Sequence, residues 1–105
     1  MADNESGSLG GQTDVDVKNK IEEPGRYRVL LHNDDITTME FVVAILQHIF
    51  HKNILDAKAI MLTVHHTGVG QCGVYTREIA ETKVTQVRNE ARLAGFPLRC
   101  TLEKE

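Results

Sequence analysis

Tyr27-Arg28-Val29-Leu30-Leu31-His32-Asn33-Asp34-Asp35-Ile36-Thr37-Thr38-Met39-Glu40-Phe41-Val42 changes its hydrophobic period half-way along, and that change sets the fold class. Tyr27, Val29 and Leu31 alternate with Arg28, Leu30 and His32, the period of a strand with one buried face. The polar run Asn33-Asp34-Asp35 ends it. Thr37-Thr38-Met39-Glu40 then reads as a capping box: Thr37 accepts from the third helical N–H while Glu40 reaches back. Val42, Ile45, Leu46, Ile49 and Phe50 share one side of a helix predicted to run to about His51.

Downstream, Asn53 is a cap for a second helix through Ile60, Met61 and Val64, with Gly68 as its stop. Cys72, Val74 and Thr76 alternate with Gly73 and Tyr75, which predicts a second strand. Thr76 caps a third helix whose stripe is Ala80, Val84, Val87, Ala91 and Ala94, ended by Gly95 and Pro97. Leu98, Cys100 and Leu102 alternate with Arg99, Thr101 and Glu103 in a last strand. The order is β-α-α-β-α-β. That predicts an α+β domain, a three-stranded sheet with three helices packed on one face.

Upstream, residues 1–25 hold six carboxylates against Lys18 and Lys20, no aromatic residue, and many Gly, Ser, Asn and Asp. Such a segment buries too little apolar area to offset its chain entropy. It is expected to be a flexible, disordered N-terminal arm closed by Pro24-Gly25, leaving residues 26–105 as the core domain. The 105 residues suit one domain. No apolar run approaches the roughly 20 residues of a membrane span, and the acidic N-terminus resembles neither a secretory signal nor a transit peptide. A cytoplasmic monomer is expected. The net charge of −3 argues against general nucleic-acid binding. Two cysteines are too few for a disulfide scaffold.

Three signals point elsewhere and are weaker. Gly68-Val69-Gly70-Gln71-Cys72-Gly73 fits a dinucleotide-binding glycine pattern, but it follows a helix and precedes a strand, the reverse of what a phosphate site needs. It reads better as a glycine-rich connecting loop. His65 and His66 are adjacent and point about 100° apart on a helix, so they chelate poorly together. Cys72 and Cys100 fall on apolar strand positions and read as buried small hydrophobes. No cofactor and no metal are expected.

The loop Asn33-Asp34-Asp35 carries the functional reading. Adjacent carboxylates before a helix often just cap it. With Thr37 assigned to the cap, however, the Asn33 amide oxygen and both carboxylates are free to face a cation. On the second helix Met61, Val64 and His65 share one face, and on the first Met39, Val42 and Val43 do. Met61 and Val64 are equally explained by core packing. If these faces meet beside Asn33, the result is an apolar hole with an accepting rim. An alkylammonium group, with three donors and no acceptor, complements that rim. A free α-amino group beside an apolar side chain matches both halves. Burial of the side chain supplies about 1.5–3 kcal/mol and each charged hydrogen bond about 1.5–3 kcal/mol. Association costs leave a modest affinity, fitting a carrier that releases its cargo. A metal-dependent hydrolase using Asp34, Asp35 and His65, and a third helix that serves as a general interaction face, are the other readings these residues permit.

The blocks Leu31–Val42, Met61–His65, Cys72–Thr76, Ala80–Val84 and Pro97–Lys104 resemble the ClpS family, the N-degron adaptors of the Clp protease. The resemblance spans about residues 26–105. It implies a non-enzymatic adaptor that captures proteins by an N-terminal Leu, Phe, Tyr or Trp. It also implies delivery to the N-domain of a ClpA- or ClpC-type AAA+ unfoldase. By position it implies α-amino contacts from Asn33, Asp34, Asp35 and His65. The side-chain pocket falls on Leu31, Thr37, Met39, Val42, Met61, Val64 and Leu98, with Met39 as the gate that rejects β-branched residues. Unfoldase contacts fall on Glu78, Thr82 and Lys83. The chain departs from the family pattern at Thr38, usually Pro, at Ile36, often aromatic, and at His32, usually apolar.

Overall fold

A computed structural model describes residues 25–105. The arm expected over residues 1–25 lies outside the described residues, save Gly25. Six elements follow: β1 (Arg26–His32), α1 (Met39–His48), α2 (Ile54–Thr67), β2 (Val69–Thr76), α3 (Arg77–Ala94) and β3 (Arg99–Lys104). The strands form one antiparallel sheet in the order β2-β1-β3, so the first strand is central. The three helices pack on one of its faces, and the β-α-α-β-α-β order matches the expectation.

The core fills the space between sheet and helices. Val29 and Leu31 of β1 are fully buried, flanked by Cys100 of β3 and Cys72 of β2. Leu46 of α1, Ala57 and Val64 of α2, and Ala80, Val84, Val87 and Ala91 of α3 close on them. Ala94, the last position of the predicted stripe, is exposed at the end of its helix. Burial pushes both thiols far above their usual range, with the Cys100 thiol at about 12. They are inert filling, as free buried cysteines generally are.

The middle strand departs from the sequence reading. The predicted glycine-rich loop is the first half of β2, and a bulge interrupts its register with β1 between Val29 and Leu30. Val29 faces Gly73, Leu30 faces Gln71, and Cys72 is the extra residue. One inserted residue exchanges the faces of everything beyond it. Cys72 therefore points inward with Gly70, whereas Val74 pairs with Arg28 on the outer face and Tyr75 pairs with Tyr27 and packs on the core. The expected alternation of Cys72, Val74 and Thr76 on one face is thus broken. Tyr75 stacks on Phe50 with ring centroids 6.5 Å apart.

Most helix ends follow local chemistry; Thr76 stands at the N-cap of α3 as expected, but its side chain makes no capping hydrogen bond. Asn53 caps α2 by accepting from Asp56 N–H at 2.8 Å, and Gly68 ends it in the left-handed region at φ 93°. Gly95 ends α3 in the same way, at φ 80°. α1 stops at His48, a turn before the predicted His51. Lys52 N–H reaches back to the Leu46 carbonyl at 3.0 Å, and His51 takes a left-handed conformation at φ 57°. This closure keeps Ile49 and Phe50 buried although they follow the helix.

Candidate functional site

α2 ends at Thr67, turns at Gly68 and enters β2, which lies antiparallel to β1 with His32 opposite Val69. Asn33, the residue after β1, donates its N–H to the Gly68 carbonyl at 2.9 Å. That bond fastens the polar loop to the end of α2, one helical turn from His65. α1 follows the same loop and packs against α2. The loop, the α1 helix that continues it and the sequence-distant second half of α2 therefore enclose one cavity of about 230 Å³, lined by Asn33, Asp34, Asp35, Thr37, Met39, Val42, Met61, Val64 and His65.

Nine of the residues singled out from sequence thus share one cavity. Val42 and Val64 are buried at its base, Met61 is half-buried, and Met39 is exposed on its wall. Leu31 and Leu98 are not on the wall. Both are buried members of the core cluster; Leu31, near the end of β1, is paired with Gly70 on one side and Cys100 on the other. They support the cavity through packing.

The loop's hydrogen bonds correct the capping assignment. Thr38, not Thr37, is the N-cap of α1, accepting from Phe41 N–H at 3.1 Å. This hydroxyl does the capping at the position where the family resemblance leads one to expect proline. Thr37 instead donates its hydroxyl to Asp34 Oδ2 at 2.7 Å, and Asp34 Oδ1 accepts from the backbone N–H groups of Ile36 (2.8 Å) and Thr37 (2.7 Å). Asp34 is therefore engaged in holding the loop, an Asx turn with an added hydroxyl. Asp35 and His65 remain exposed at the mouth, as does Asn33. The His65 ring meets His66 at 5.1 Å between centroids, edge to face. Among the described residues, no group of three or more His, Cys, Asp or Glu side chains is placed to hold a metal ion.

Among the described residues, Asp34 and His32 carry shifted proton equilibria that bear on the acid range. Burial alone raises the Asp34 carboxyl, but the Thr37 N–H, the Thr37 hydroxyl and the Ile36 N–H together hold it below the usual aspartate range. Burial, and then the Arg99 charge, lower the His32 imidazole below its usual 6.5 against the opposing pull of Glu103. His32 sits on the outer face of the sheet, with Nε2 2.8 Å from Thr101 Oγ1 and Nδ1 3.4 Å from Arg99 Nη2. Both groups bind protons less readily folded than unfolded, so stability is full near neutrality. Their contributions are lost as pH falls, that of His32 first, from its usual 6.5 downward, and that of Asp34 from the usual aspartate range downward. Asp34→Ala should lower stability at pH 7 by about 1–2 kcal/mol, since the bonds it removes are charge-assisted but partly exposed. It should also flatten the acid limb of a denaturation midpoint measured from pH 7 to pH 3. An unchanged limb would show that the loop does not depend on this carboxylate.

The third helix lies away from the cavity. Glu78 and Thr82 are exposed on it, beside a shallow hollow shared with Glu81, Thr85 and Gln86. Lys83 behaves differently. Its ammonium donates to the Ile49 carbonyl at 2.6 Å, at the C-cap of α1, and stands 5.7 Å from the Tyr75 ring centroid. A cation there complements the helix dipole. Lys83 thus joins α3 to α1, a structural task its position in the sequence did not reveal.

Comparisons with known proteins agree with this architecture. The family model described as "ATP-dependent Clp protease adaptor protein ClpS" matches residues 22–101. A relative from Nitratidesulfovibrio vulgaris, "ATP-dependent Clp protease adapter protein ClpS", is 56% identical over 95 residues, covering 90% of this chain and 95% of that protein. A Caulobacter vibrioides protein of the same name is 54% identical over 97 residues, covering 92% of this chain and 89% of its own. Among solved structures, Agrobacterium tumefaciens ClpS2 bound to L-phenylalaninamide superposes with a TM-score of 0.77 at 38% identity, over 79% of this chain and all of that one. With the family model matching residues 22–101 and relatives matching along nine-tenths of the sequence, the chain belongs to the ClpS family of Clp protease adaptors, and its work is that of an adaptor, not an enzyme.

Proposed function

We propose that this chain captures N-degron substrates by their first residue, holding a free α-amino group and a large apolar side chain such as Leu, Phe, Tyr or Trp. It then delivers them to a ClpA- or ClpC-type AAA+ unfoldase. The observation that carries the reading is the division of one cavity into two chemistries. Asn33, Asp35 and His65 offer acceptors at its mouth, whereas Met39, Val42, Met61 and Val64 make it apolar. Ammonium groups donate and do not accept, so the mouth suits them; a side chain attached to the same carbon follows into the apolar part. Phenylalaninamide, the ligand of the A. tumefaciens relative, carries a free amino group, an aromatic ring and an amide where a peptide would continue.

Asp34 contributes indirectly: its bonds to Thr37 and Ile36 fix the loop from which Asn33 and Asp35 project. Hand-over is assigned to the exposed side of α3 around Glu78 and Thr82. Lys83 keeps that helix seated against α1, so substitution there should perturb fold and hand-over together.

The test is an affinity series over all twenty N-terminal residues on one otherwise constant peptide. Leu, Phe, Tyr and Trp should bind, while Asp, Glu and Lys should not, because an unpaired charge in the apolar part is strongly unfavourable. Val and Ile should bind poorly, since a branch at Cβ meets Met39 at the entrance. Uniform affinity across the series would refute the reading.

A further inference from the structure

We propose that the chain has a second substrate subsite, a groove between α1 and α2 that takes the side chain of the third residue of the captured polypeptide. The proposal rests on the reading that the first cavity takes an amino terminus. The groove has a volume of about 400 Å³ and is walled by Met39, Val43, Ala44 and Met61, with Glu40, Gln47 and Lys58 as its polar lining. Met39 and Met61 also line the first cavity. The two hollows are therefore neighbours, parted by those two side chains.

Chain geometry selects the occupant. An extended peptide advances about 3.3 Å per residue, and its side chains alternate between faces. The first and third side chains thus point the same way, about 7 Å apart, the thickness of a partition one side chain wide. With the first residue in the cavity and its amino group at Asn33 and His65, the third reaches across the Met39–Met61 partition. The second points away from the surface. Met39 is 42% exposed, so an apolar side chain stands uncovered on the crest between the hollows. A peptide lying across it would cover that surface. Methionine walls adapt to side chains of differing shape, so the groove should favour apolar character over one particular residue. Its polar lining carries one cation and one anion, so neither sign of charge gains a partner without opposition, while the apolar walls disfavour both.

The test uses the full chain and labelled peptides beginning Phe-Gly-Xaa, with Xaa Leu, Gly or Asp, each also prepared N-acetylated. Leu at the third position should bind about fivefold tighter than Gly, the return on partly burying one apolar side chain, and Asp should bind more weakly than Gly. Ala44→Glu places a carboxylate in the groove without touching the first cavity. It should erase the Leu–Gly difference and leave the affinity of the Gly peptide unchanged. Equal affinities of the Leu and Gly peptides for the unaltered chain would overturn the subsite, whatever becomes of the variant. A preference that responds to the second residue in place of the third would overturn it too. If acetylated peptides fail to bind while the third residue has no effect, the amino-terminal reading stands and the groove falls. If acetylated and free peptides bind alike, both fall.

Discussion

N-acetylation of a peptide that begins with Phe will weaken its capture about a hundredfold or more. The ammonium group offers three donors and a full charge, whereas the acetylated nitrogen offers one donor and none. Loss of two charge-assisted hydrogen bonds, at about 1.5–3 kcal/mol each, corresponds to two to four decades in affinity. The low end is expected, because Asn33, Asp35 and His65 are exposed at the mouth and water competes with them. A cycle assigns the effect to its residues. In His65→Ala, the free peptide should bind at least tenfold more weakly than to the unaltered chain, a loss of about 1.4 kcal/mol. The further loss on acetylation should then shrink, since one acceptor is already gone. His65 is exposed and belongs to no buried network, so its removal should leave the melting temperature nearly unchanged. Titration calorimetry of both peptides against both proteins gives the four affinities. A full acetylation effect surviving in His65→Ala would remove His65 from the amino-binding set. A sharp fall in melting temperature would make its role structural.

Gly70→Val should destabilise the domain by about 2–3 kcal/mol and impair capture with it, through overpacking at a buried contact. Gly70 is a buried strand residue on which α2 rests directly. A Cβ at that position would come within 2.6 Å of Val64 Cγ2, 3.4 Å of the Ile60 carbonyl oxygen and 3.5 Å of the Val64 nitrogen. The clash is with the Val64 methyl, itself on a stiff β-branched side chain, and the helix backbone already lies at van der Waals distance from the new Cβ, so the two methyls of valine have no room beyond it. Relief therefore requires α2 to lift from β2. Val64 lines the cavity and His65 follows it, so lifting the helix would separate His65 from Asn33. Gly70→Ala should show the same trend at smaller size. Chemical denaturation gives the stability, and the affinity for a Phe-led peptide gives the capture. A Gly70→Val protein with unchanged denaturation midpoint would refute the claim that this contact sets the helix–sheet spacing.

Gly70 illustrates a limit of sequence reading. In the sequence it belongs to a glycine-rich stretch that resembles a loop, yet the chain there is extended and paired with β1. The glycine is needed for close approach of a helix, a demand that arises only once α2 folds back on the sheet. Tyr75 is a similar case. Simple alternation sends it outward, and the bulge at Cys72 turns it onto the core. A bulge has no local signature in a segment with glycine on both sides, because its position is fixed by pairing with β1. Thr37 and Thr38 show competition between two adjacent hydroxyls. Both fit a helix cap by pattern, and the choice was made by Asp34, which takes the first through a 2.7 Å bond and leaves the second for Phe41.

Local chemistry was enough for the strand-to-helix change at Asn33, the stops at Gly68 and Gly95, and the polar character of the Asn33–Asp35 loop that lines the cavity. Those features depend on neighbours within one or two turns, and periodicity and capping record them directly. The meeting of His65 with Asn33 across thirty-odd residues, the retirement of Leu31 and Leu98 into the core and the commitment of Lys83 to the Ile49 carbonyl were settled by packing. Each needs two segments to be in register, and register exists only after β1 has paired with both its neighbours and the helices have closed over one face of the sheet.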